Sequence, residues 1–307
     1  MMYNEELKMA YITEKESTTI IPKHYLKNEF NKISKVEYEL EKDARNFTKR
    51  EIIEYYKTRN FINVDSVGVL NSILSQYVQW CLQKNLVMDN QNHYLEIDRD
   101  IMKSCLNMAI YNKRIVTRKR IEEICSELIN PRDKVIFMCL FEGIKGKDFC
   151  EIVNLKPRDI KGNKAYLCTN RIVEITDVLK GYIDQCIDEK MYYSVTGTQA
   201  KVMPLINRGY IIKDYPNTKD DTNDFYKGRA LYNSILRSLK SLGLFRYLSS
   251  TSIYISGQID MINQMAQEEN LSAKEVIYSD RLEKVEEKYN CNINKKQFIL
   301  KYEEHLL

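Results

Sequence analysis

Histidines and paired cysteine motifs, the usual ligands of protein-bound metals, are scarce in this sequence. The chain has only three histidines, and none lies near another ligand type at a metal-binding spacing. Its eight cysteines form no C-x-x-C pair, and most occupy apolar helix positions, as at Cys81, Cys105 and Cys139. This pattern predicts buried free thiols. We therefore expect no metal site and no other cofactor.

Long apolar runs are also missing. No run approaches the ~18 residues that a membrane-spanning helix requires, and the N-terminus, MMYNEELKMAYITEK, has no apolar signal-peptide core. A hydrophobic content of 44% with 29% charged residues is typical of a soluble globular protein, and 307 residues suffice for two domains. We expect a cytoplasmic protein that has no membrane partner.

Charge is unevenly distributed along the chain. Residues 1–46 hold nine acids and eight bases, and residues 260–307 hold ten acids and seven bases. The remaining residues, 47–259, hold 32 bases against 24 acids, a surplus of eight. A basic body between mildly acidic ends favours a nucleic-acid-binding protein over an enzyme that acts on small anions.

The most informative stretch is residues 131–160, PRDKVIFMCLFEGIKGKDFCEIVNLKPRDI. Seven consecutive apolar residues, Val135 to Phe141, predict a helix that is buried on every side. A loop with two glycines follows, and then a short amphipathic run that ends at Pro157. Helix, glycine turn, short helix and NLKPRDI together resemble the start of the catalytic domain of tyrosine recombinases (phage integrases).

In that family the glycine turn carries the first catalytic arginine, in a pattern like T-G-L-R-x-S-E-L-x-x-L-x-x-x-D-I. Counting back from the Asp-Ile pair at the end of the stretch puts Asp148 at the arginine position. Counting forward from the Arg-Asp pair at its start would favour Lys145. The downstream match is longer, which favours Asp148. Neither residue is an arginine.

Residues 1–110 are predicted to form an N-terminal arm and a helical domain. Residues 1–20 have no clean period and predict a loose arm. Four helical patterns follow, over 23–43, from an N-cap at Thr48, from an N-cap at Asp65 or Ser66, and over about 98–109. They resemble the core-binding (SAM-like) domain of tyrosine recombinases, which clamps one face of the duplex. Residues 111–307 would then form a catalytic-like domain with a C-terminal helix.

Residues 111–120, YNKRIVTRKR, contain no acid and five bases: Lys113, Arg114, Arg118, Lys119 and Arg120. The segment has the position of the family's interdomain linker, which crosses the DNA backbone. The resemblance therefore implies that these side chains contact phosphates, a contribution to affinity that does not read sequence. The alternative is a solvated helix start with Thr117 as its N-cap.

A small antiparallel sheet is predicted from strands over 164–168 and 171–175, around a turn at Thr169–Asn170. Recombinases carry a catalytic lysine in this hairpin, and the turn of this chain has none. A helix over 177–190 and a short strand and turn over 202–212 follow.

Residues 227–247, KGRALYNSILRSLKSLGLFRY, again hold five bases and no acid. One apolar face predicts a half-buried helix, whose other side would carry the candidate DNA contacts: Lys227, Arg229, Asn233, Arg237 and Lys240. In tyrosine recombinases this helix enters the major groove, where Arg and Asn suit bidentate contact with guanine and adenine edges. The alternative is an ordinary basic surface helix.

The family's other catalytic positions are also substituted. In YLSSTSIY, Tyr247, Ser250 and Thr251 replace the His, Arg and His of the second box. Asp280 stands at the His/Trp position of the third box, and Tyr289, nine residues later, matches the nucleophile position.

Strand exchange in this family depends on the missing groups. Two arginines stabilise the negative charge on the phosphate, and a lysine or histidine protonates the leaving oxygen. Because these groups are lost and Asp148 would repel the phosphate, we predict no catalytic residues and no cleavage, with Tyr289 a relic nucleophile. The alternative is an active integrase that uses Tyr289, with Lys145 or Arg246 in place of the lost arginines.

The C-terminal residues, NCNINKKQFILKYEEHLL, predict a last amphipathic helix with Phe298, Ile299, Tyr302 and Leu306 on one side. Recombinases often pack this helix on a neighbouring subunit. Self-association through the helix and packing on its own domain are therefore both open. A protein antagonist is a further candidate partner.

The predicted DNA contacts do not depend on the catalytic groups. The architecture as a whole resembles the lysogeny repressors of SPβ-type Bacillus prophages, whose tyrosine-recombinase fold is catalytically silent. The resemblance implies a mainly α protein with a small antiparallel β-sheet (α+β). It also implies binding to an operator in double-stranded DNA and transcriptional repression of a prophage in a bacterial cytoplasm, in association with the nucleoid. A second alternative is a recombinase-like module that binds proteins and has no role on DNA.

Overall fold

Helices make up most of the chain, and antiparallel strands add small sheets, which confirms the predicted fold class. The computed structural model describes residues 2–15, 21–196, 199–216 and 223–307. Backbone contacts divide the chain into two units, Met1–Tyr111 and Asn112–Leu307. None of the helices in the described ranges has the length and apolar content of a membrane span.

The first unit consists of the helices α1 (Glu5–Lys15), α2 (Lys23–Leu40), α3 (Lys49–Thr58), α4 (Val64–Gln83), α5 (Arg99–Ser104) and α6 (Met108–Tyr111). Thr48 caps α3 in a capping box with Glu51, as predicted. Helix α4 was predicted to begin at an N-cap at Asp65 or Ser66, but its N-cap is Asn63. The side-chain oxygen of Asn63 accepts a hydrogen bond from the N–H of Ser66 at 2.7 Å.

The expected loose arm instead contains the helix α1, so that prediction was wrong for Glu5–Lys15. Tyr11 is buried, with its ring edge-on to Tyr77 at 5.3 Å between centroids. Lys8 is also buried, and its ammonium group forms an ion pair with the buried Glu37. A charged residue in the core hides the apolar period of α1 from a sequence pattern. Residues 16–20 of the predicted arm lie outside the described residues.

The predicted helix over 98–109 is two short helices, α5 and α6. Between them, the backbone N–H of Asn107 donates to the carbonyl oxygen of Phe61 at 2.9 Å. An N–H that bonds to another segment cannot continue a helical ladder. In α4, by contrast, seven of the eight predicted apolar positions are buried, and the eighth, Leu82, is partly buried; the seven are Val67, Leu70, Ile73, Leu74, Tyr77, Val78 and Cys81.

The second unit contains the remaining helices: α7 (Arg118–Glu127), α8 (Pro131–Phe141), α9 (Cys150–Val153), α10 (Asp177–Asp188), α11 (Asp224–Ser241), α12 (Ser250–Glu269), α13 (Ala273–Tyr278), α14 (Leu282–Tyr289) and α15 (Lys295–Tyr302). Helix α8 is at the centre, and every residue from Val135 to Phe141 is buried, as predicted. Helices α7, α10, α11 and α12 pack against it.

Two small antiparallel sheets also belong to the second unit: β1 (Ile160–Lys161), β2 (Lys164–Tyr166) and β3 (Ile172–Glu174) form one, and β4 (Met191–Thr196) and β5 (Gln199–Pro204) form the other. Ala165 in β2 faces Val173 in β3, so the predicted hairpin is present, with shorter strands than expected. The sequence predicted a strand on the β5 side only. Its partner β4 was missed.

The C-terminal helix packs within its own unit. Phe298 is buried, and Ile299, Tyr302 and Leu306 contact the same apolar cluster, which also contains Val285. Of the two predicted arrangements, the structure therefore contains packing on the helix's own domain. Self-association through this helix stays a prediction.

The eight cysteines are free thiols, and Cys81, Cys105 and Cys139 are buried, as predicted. Burial raises the pKa of the Cys139 thiol well above its usual value. Among the described residues, no cluster of three or more His, Cys, Asp or Glu side chains could hold a metal ion.

Candidate nucleic-acid interface

Helix α11 carries the main candidate DNA-contacting surface. Asn223 caps its start, where its side-chain oxygen accepts from the N–H of Tyr226 at 3.2 Å. The buried residues on its inner face are Gly228, Leu231, Ser234, Ile235, Ser238 and Leu239. Its outer face exposes Arg229, Asn233, Arg237 and Lys240. Spacings of four, four and three residues keep these side chains on one side of the helix. We call these four residues the basic face.

Lys227 lies beside the basic face and not on it. Its side chain is half-buried, and its ammonium nitrogen is 4.7 Å from the centroid of the Tyr210 ring. Lys156 lies over the same ring at 5.2 Å. These cation–π contacts attach Lys227 to the body of the unit. The predicted shared outer face therefore begins at Arg229.

The turn before α9 fixes the position of α11. A Cβ at Gly228 would lie 1.9 Å from the carbonyl oxygen of Asp148, so only glycine allows this approach. The ring of Phe149 stacks on Tyr232, with centroids 6.5 Å apart and an interplanar angle of 29°. The position that carries the first arginine in recombinases is thus a contact surface for the candidate DNA-binding helix.

Asp148 itself is exposed and sits in an unusual backbone conformation. Its φ is 50° and that of Phe149 is 62°, so two consecutive non-glycine residues are left-handed. Such residues cost about 1–2 kcal/mol each. At Gly146, with φ +66°, a Cβ would also lie 2.5 Å from the sulfur of Cys150. The turn is held by its surroundings and directs a carboxylate, not a guanidinium, toward solvent.

Arg171, which the sequence patterns did not single out, holds the centre of the second unit together. Its Nε and Nη2 donate to the two carboxylate oxygens of Glu151 at 2.9 and 2.7 Å. Its Nη1 donates to the carbonyl oxygen of Lys288 at 2.7 Å, and its Nη2 to that of Gly143 at 2.9 Å. Burial alone would raise the pKa of Glu151, but the hydrogen bonds from Arg171 and from Thr169 hold that pKa below its usual range.

Tyr289, at the nucleophile position, is a core residue with 1% of its surface exposed. Its hydroxyl donates to the carbonyl oxygen of Phe141 at 2.7 Å. A Cβ at Gly257 would lie 2.5 Å from this hydroxyl, so α12 passes directly over it. Burial raises the pKa of Tyr289 well above its usual value near 10. A buried phenol that is already hydrogen-bonded is a poor nucleophile for a DNA phosphate.

The residues at the substituted positions of the second and third boxes lie away from the Tyr289 hydroxyl, in the apolar core or at the surface. Ser250 is buried and Thr251 exposed at the start of α12. They precede Gly257 by six or seven residues, about 10 Å of helix. Tyr247 packs against the apolar core, and the side chain of Asp280 is 87% exposed. Among the described residues, these positions form no cationic cluster at Tyr289.

Three of the five predicted linker bases have acceptors within the second unit. Arg118 donates to Asp260 at 2.9 and 3.1 Å, and Arg120 to Glu123 at 3.0 Å. Arg114 donates to the carbonyl oxygen of Lys301, also at 2.9 Å. The two lysines are exposed: Lys113 and Lys119. Thr117 caps α7, as the alternative interpretation of this segment had it.

The replacements considered for the lost arginines are not equivalent to them. The ammonium nitrogen of Lys145 lies 4.9 Å from the centroid of the Tyr254 ring and 6.0 Å from that of Phe149. Burial lowers the pKa of Lys145. Arg246 is exposed, just beyond the end of α11.

Comparisons with known proteins identify the family to which this chain belongs. A family model described as "MrpR, C-terminal catalytic domain" matches residues 115–306, and one described as "MrpR, N-terminal core-binding domain" matches residues 2–83. The SPbeta prophage-derived protein YopR of Bacillus subtilis (strain 168) is 22% identical over 315 residues, which cover 97% of this chain and 94% of that protein. A crystal structure of a lambda integrase(75-356) dimer bound to a COC' core site matches with 14% identity and a TM-score of 0.41. That match covers 97% of this chain and 95% of the integrase chain.

Proposed function

Since this chain belongs to the MrpR family, we propose that it binds an operator in double-stranded DNA and represses prophage transcription, which maintains lysogeny. Its scaffold is that of a tyrosine recombinase with core-binding and catalytic-like parts, as residues 131–160 indicated. In the proposal, residues 1–110 and 111–307 act as two domains on DNA. The protein would work in the bacterial cytoplasm, in association with the nucleoid.

The basic face of α11 is the observation that carries the proposal. From Arg229 to Lys240 the four side chains span about 16 Å of helix, which matches several base-pair steps. Arginine and asparagine offer paired hydrogen-bonding groups that suit guanine and adenine edges. No acid interrupts residues 227–247. These residues combine attraction to phosphate with the ability to distinguish bases.

Phosphate contacts would come mainly from lysines. Lys113 and Lys119 are exposed at the start of the second unit, whereas Arg114, Arg118 and Arg120 are engaged within it. Each neutralised phosphate releases counterions, so binding should weaken steeply with salt.

The absence of strand exchange is the second part of the proposal. Two observations support it. Tyr289 donates a hydrogen bond to the carbonyl oxygen of Phe141 in the core, and Asp148 and Ser250 occupy the two positions that are catalytic arginines in tyrosine recombinases. Loss of one group that stabilises a transition-state charge costs on the order of 10²–10³ in rate. Loss of both arginines and the general acid would leave no measurable cleavage.

A mobility-shift titration tests the binding proposal. Genomic fragments that crosslink to the protein in its host provide the DNA. We expect Arg229→Ala to cost about 1–3 kcal/mol of binding free energy at one base position, because the proposal makes Arg229 a base-reading residue. Lys119→Ala is the matched control, and it should weaken binding to all sequences equally and reduce the salt slope. Absence of a specific shift, or a flat salt dependence, would favour a module that binds proteins.

One observation favours the alternative of an active recombinase. Arg171 bonds to the carbonyl oxygen of Lys288, next to Tyr289, and the charge of Arg118 acts to lower the pKa of the Tyr289 hydroxyl, although burial and the charge of Asp260 each raise that pKa more. Both guanidinium groups already bond to carboxylates, Glu151 and Asp260 respectively. The alternative therefore requires each arginine to act while bonded to its carboxylate or to leave it, and it predicts a covalent adduct through Tyr289.

A further inference from the structure

Tyr215 connects the basic face to the buried start of α8. We propose that Tyr215 is a positioning residue, which holds the guanidinium of Arg237 for bidentate contact with one guanine of the operator. The inference rests on the proposed function. It adds to that function the residue pair that determines specificity at one base pair.

The side chain of Arg237 is held along one edge. Its Nη2 donates to the hydroxyl of Tyr215 at 3.3 Å, and its Nε donates to the carbonyl oxygen of Asn233 at 3.4 Å. Its Cζ lies 5.5 Å from the centroid of the Tyr215 ring. One aromatic residue therefore contacts this exposed arginine through both its hydroxyl and its ring.

Tyr215 is fixed in turn from inside the unit. Arg132, which is 4% exposed, donates from Nη1 to the same hydroxyl at 3.2 Å, and its Cζ lies 4.8 Å from the ring centroid. The same Nη1 donates to Ser234 Oγ at 2.9 Å, and Ser234 is on the inner face of α11. Tyr215 is thus supported by a buried arginine that is also bonded to α11. A functional side chain whose neighbours are locked by packing keeps its orientation.

The two engaged nitrogens of Arg237, Nε and Nη2, lie along one side of the guanidinium group. The end of the group therefore remains for contact with guanine. Nε and one Nη2 hydrogen form the side of the group, whereas Nη1 and the second Nη2 hydrogen form its end. The two parallel donors at the end match the O6 and N7 acceptors of guanine. Arg229 lies eight residues earlier, about 12 Å along the helix, so the two arginines would reach different base pairs.

Selection from random duplexes by the full-length chain tests this inference. We expect the native protein to select a motif with guanine at one position, and Arg237→Lys, which keeps the charge but loses the fork, to lose that preference. Tyr215→Phe should reduce the preference by about 2- to 12-fold at that position alone, the value of ordering one flexible side chain. Affinity for unrelated DNA should not change. Tyr278→Phe, which removes an exposed hydroxyl from α13, is the matched control.

Combining the substitutions separates positioning from a merely structural role. The variant that combines Tyr215→Phe with Arg237→Lys should show the same base preference as Arg237→Lys alone. Without the guanidinium group, the Tyr215 hydroxyl has nothing to orient. A structural role would weaken binding at every base position and add to the effect of Arg237→Lys. Circular dichroism verifies that the Tyr215→Phe variant folds. Tyr215→Leu, which lacks hydroxyl and ring, should lose at least as much guanine preference.

The outcomes are distinct. If the native protein selects a motif and both Tyr215 variants keep the full guanine preference, the inference is wrong and the proposed function stands. If the native protein selects no motif, the proposed function itself fails, and the inference with it.

Discussion

The hydroxyl of Tyr289 donates a hydrogen bond to the main-chain carbonyl oxygen of Phe141 at 2.7 Å. This contact joins the last residue of α14 to the last residue of the buried helix α8, 148 positions apart in sequence. A recombinase uses the tyrosine at this position on DNA. Here the tyrosine donates a hydrogen bond within the core, so its hydroxyl could reach a phosphate only if that bond broke and the packing of α12 or α14 changed.

Gly257→Ala tests how closely α12 covers this contact. The new Cβ would lie 1.8 Å from the carbonyl oxygen of Phe141, which is backbone and cannot turn aside. We expect a loss of about 1–3 kcal/mol or more in the free energy of unfolding, measured by urea denaturation. Gly181→Ala in α10, where a Cβ would meet nothing within 4 Å, is the control and should stabilise by up to about 1 kcal/mol. Equal stability of the Gly257→Ala variant would contradict this packing.

Arg171→Ala tests the arginine that joins the glycine turn, the hairpin and α14. Its removal leaves Glu151, which is fully buried, without its main partner. We expect a loss of about 3–5 kcal/mol in the free energy of unfolding. Arg171→Lys should recover only part of this, because an ammonium group cannot replace the fork. Arg158→Ala is the control, since its side chain is 79% exposed, and should change stability by no more than about 0.5 kcal/mol. A small loss for Arg171→Ala would contradict this structural role of Arg171.

The unfolding free energy should also depend on pH through Glu189, after the end of α10. Burial raises its pKa from 4.5 to about 7, against the opposing hydrogen bond from the N–H of Arg132. The folded chain therefore holds this proton to a higher pH than the unfolded chain does. The resulting stabilisation is complete below about pH 4.5 and is lost as the pH rises toward 7.

Glu189→Gln should remove this dependence, because the amide stays neutral at every pH. Relative to native, we expect the variant to gain about 1–2 kcal/mol between pH 5 and pH 8, after allowance for solvent screening at a partly exposed site. Urea denaturation at the two pH values measures the difference, with Asp188→Asn as the neighbouring exposed control. A difference that stays constant with pH would rule Glu189 out as the responsible group.

Much of the fold could be predicted because its signals are local. The run from Val135 to Phe141 cannot be placed anywhere but in a core, and Thr48 with Glu51 marks a helix start by spacing alone. The basic face of α11 was also predictable, since a period of three to four residues separates its two sides.

Contacts that depend on tertiary structure were not predictable. Lys8 interrupts the apolar pattern of α1, and only its burial against Glu37 explains why the helix forms. Arg171 looks like a polar residue beside a strand, and nothing near it in sequence identifies Gly143 or Lys288 as its acceptors. The engagement of Arg114 and Arg118 by residues 187 and 142 positions away is hidden for the same reason.

We propose that this recombinase scaffold binds specific DNA and does not cut it. A set of duplexes that carry the operator, each with a nick at a different position, would trap any covalent intermediate. One sample, divided between a native gel and a denaturing gel, tests both parts of the claim. We predict a retarded complex on the native gel and no denaturant-resistant adduct, with Tyr289→Phe identical to native on both. A covalent protein–DNA band that disappears in the Tyr289→Phe variant, or no retarded complex at all, would contradict the account.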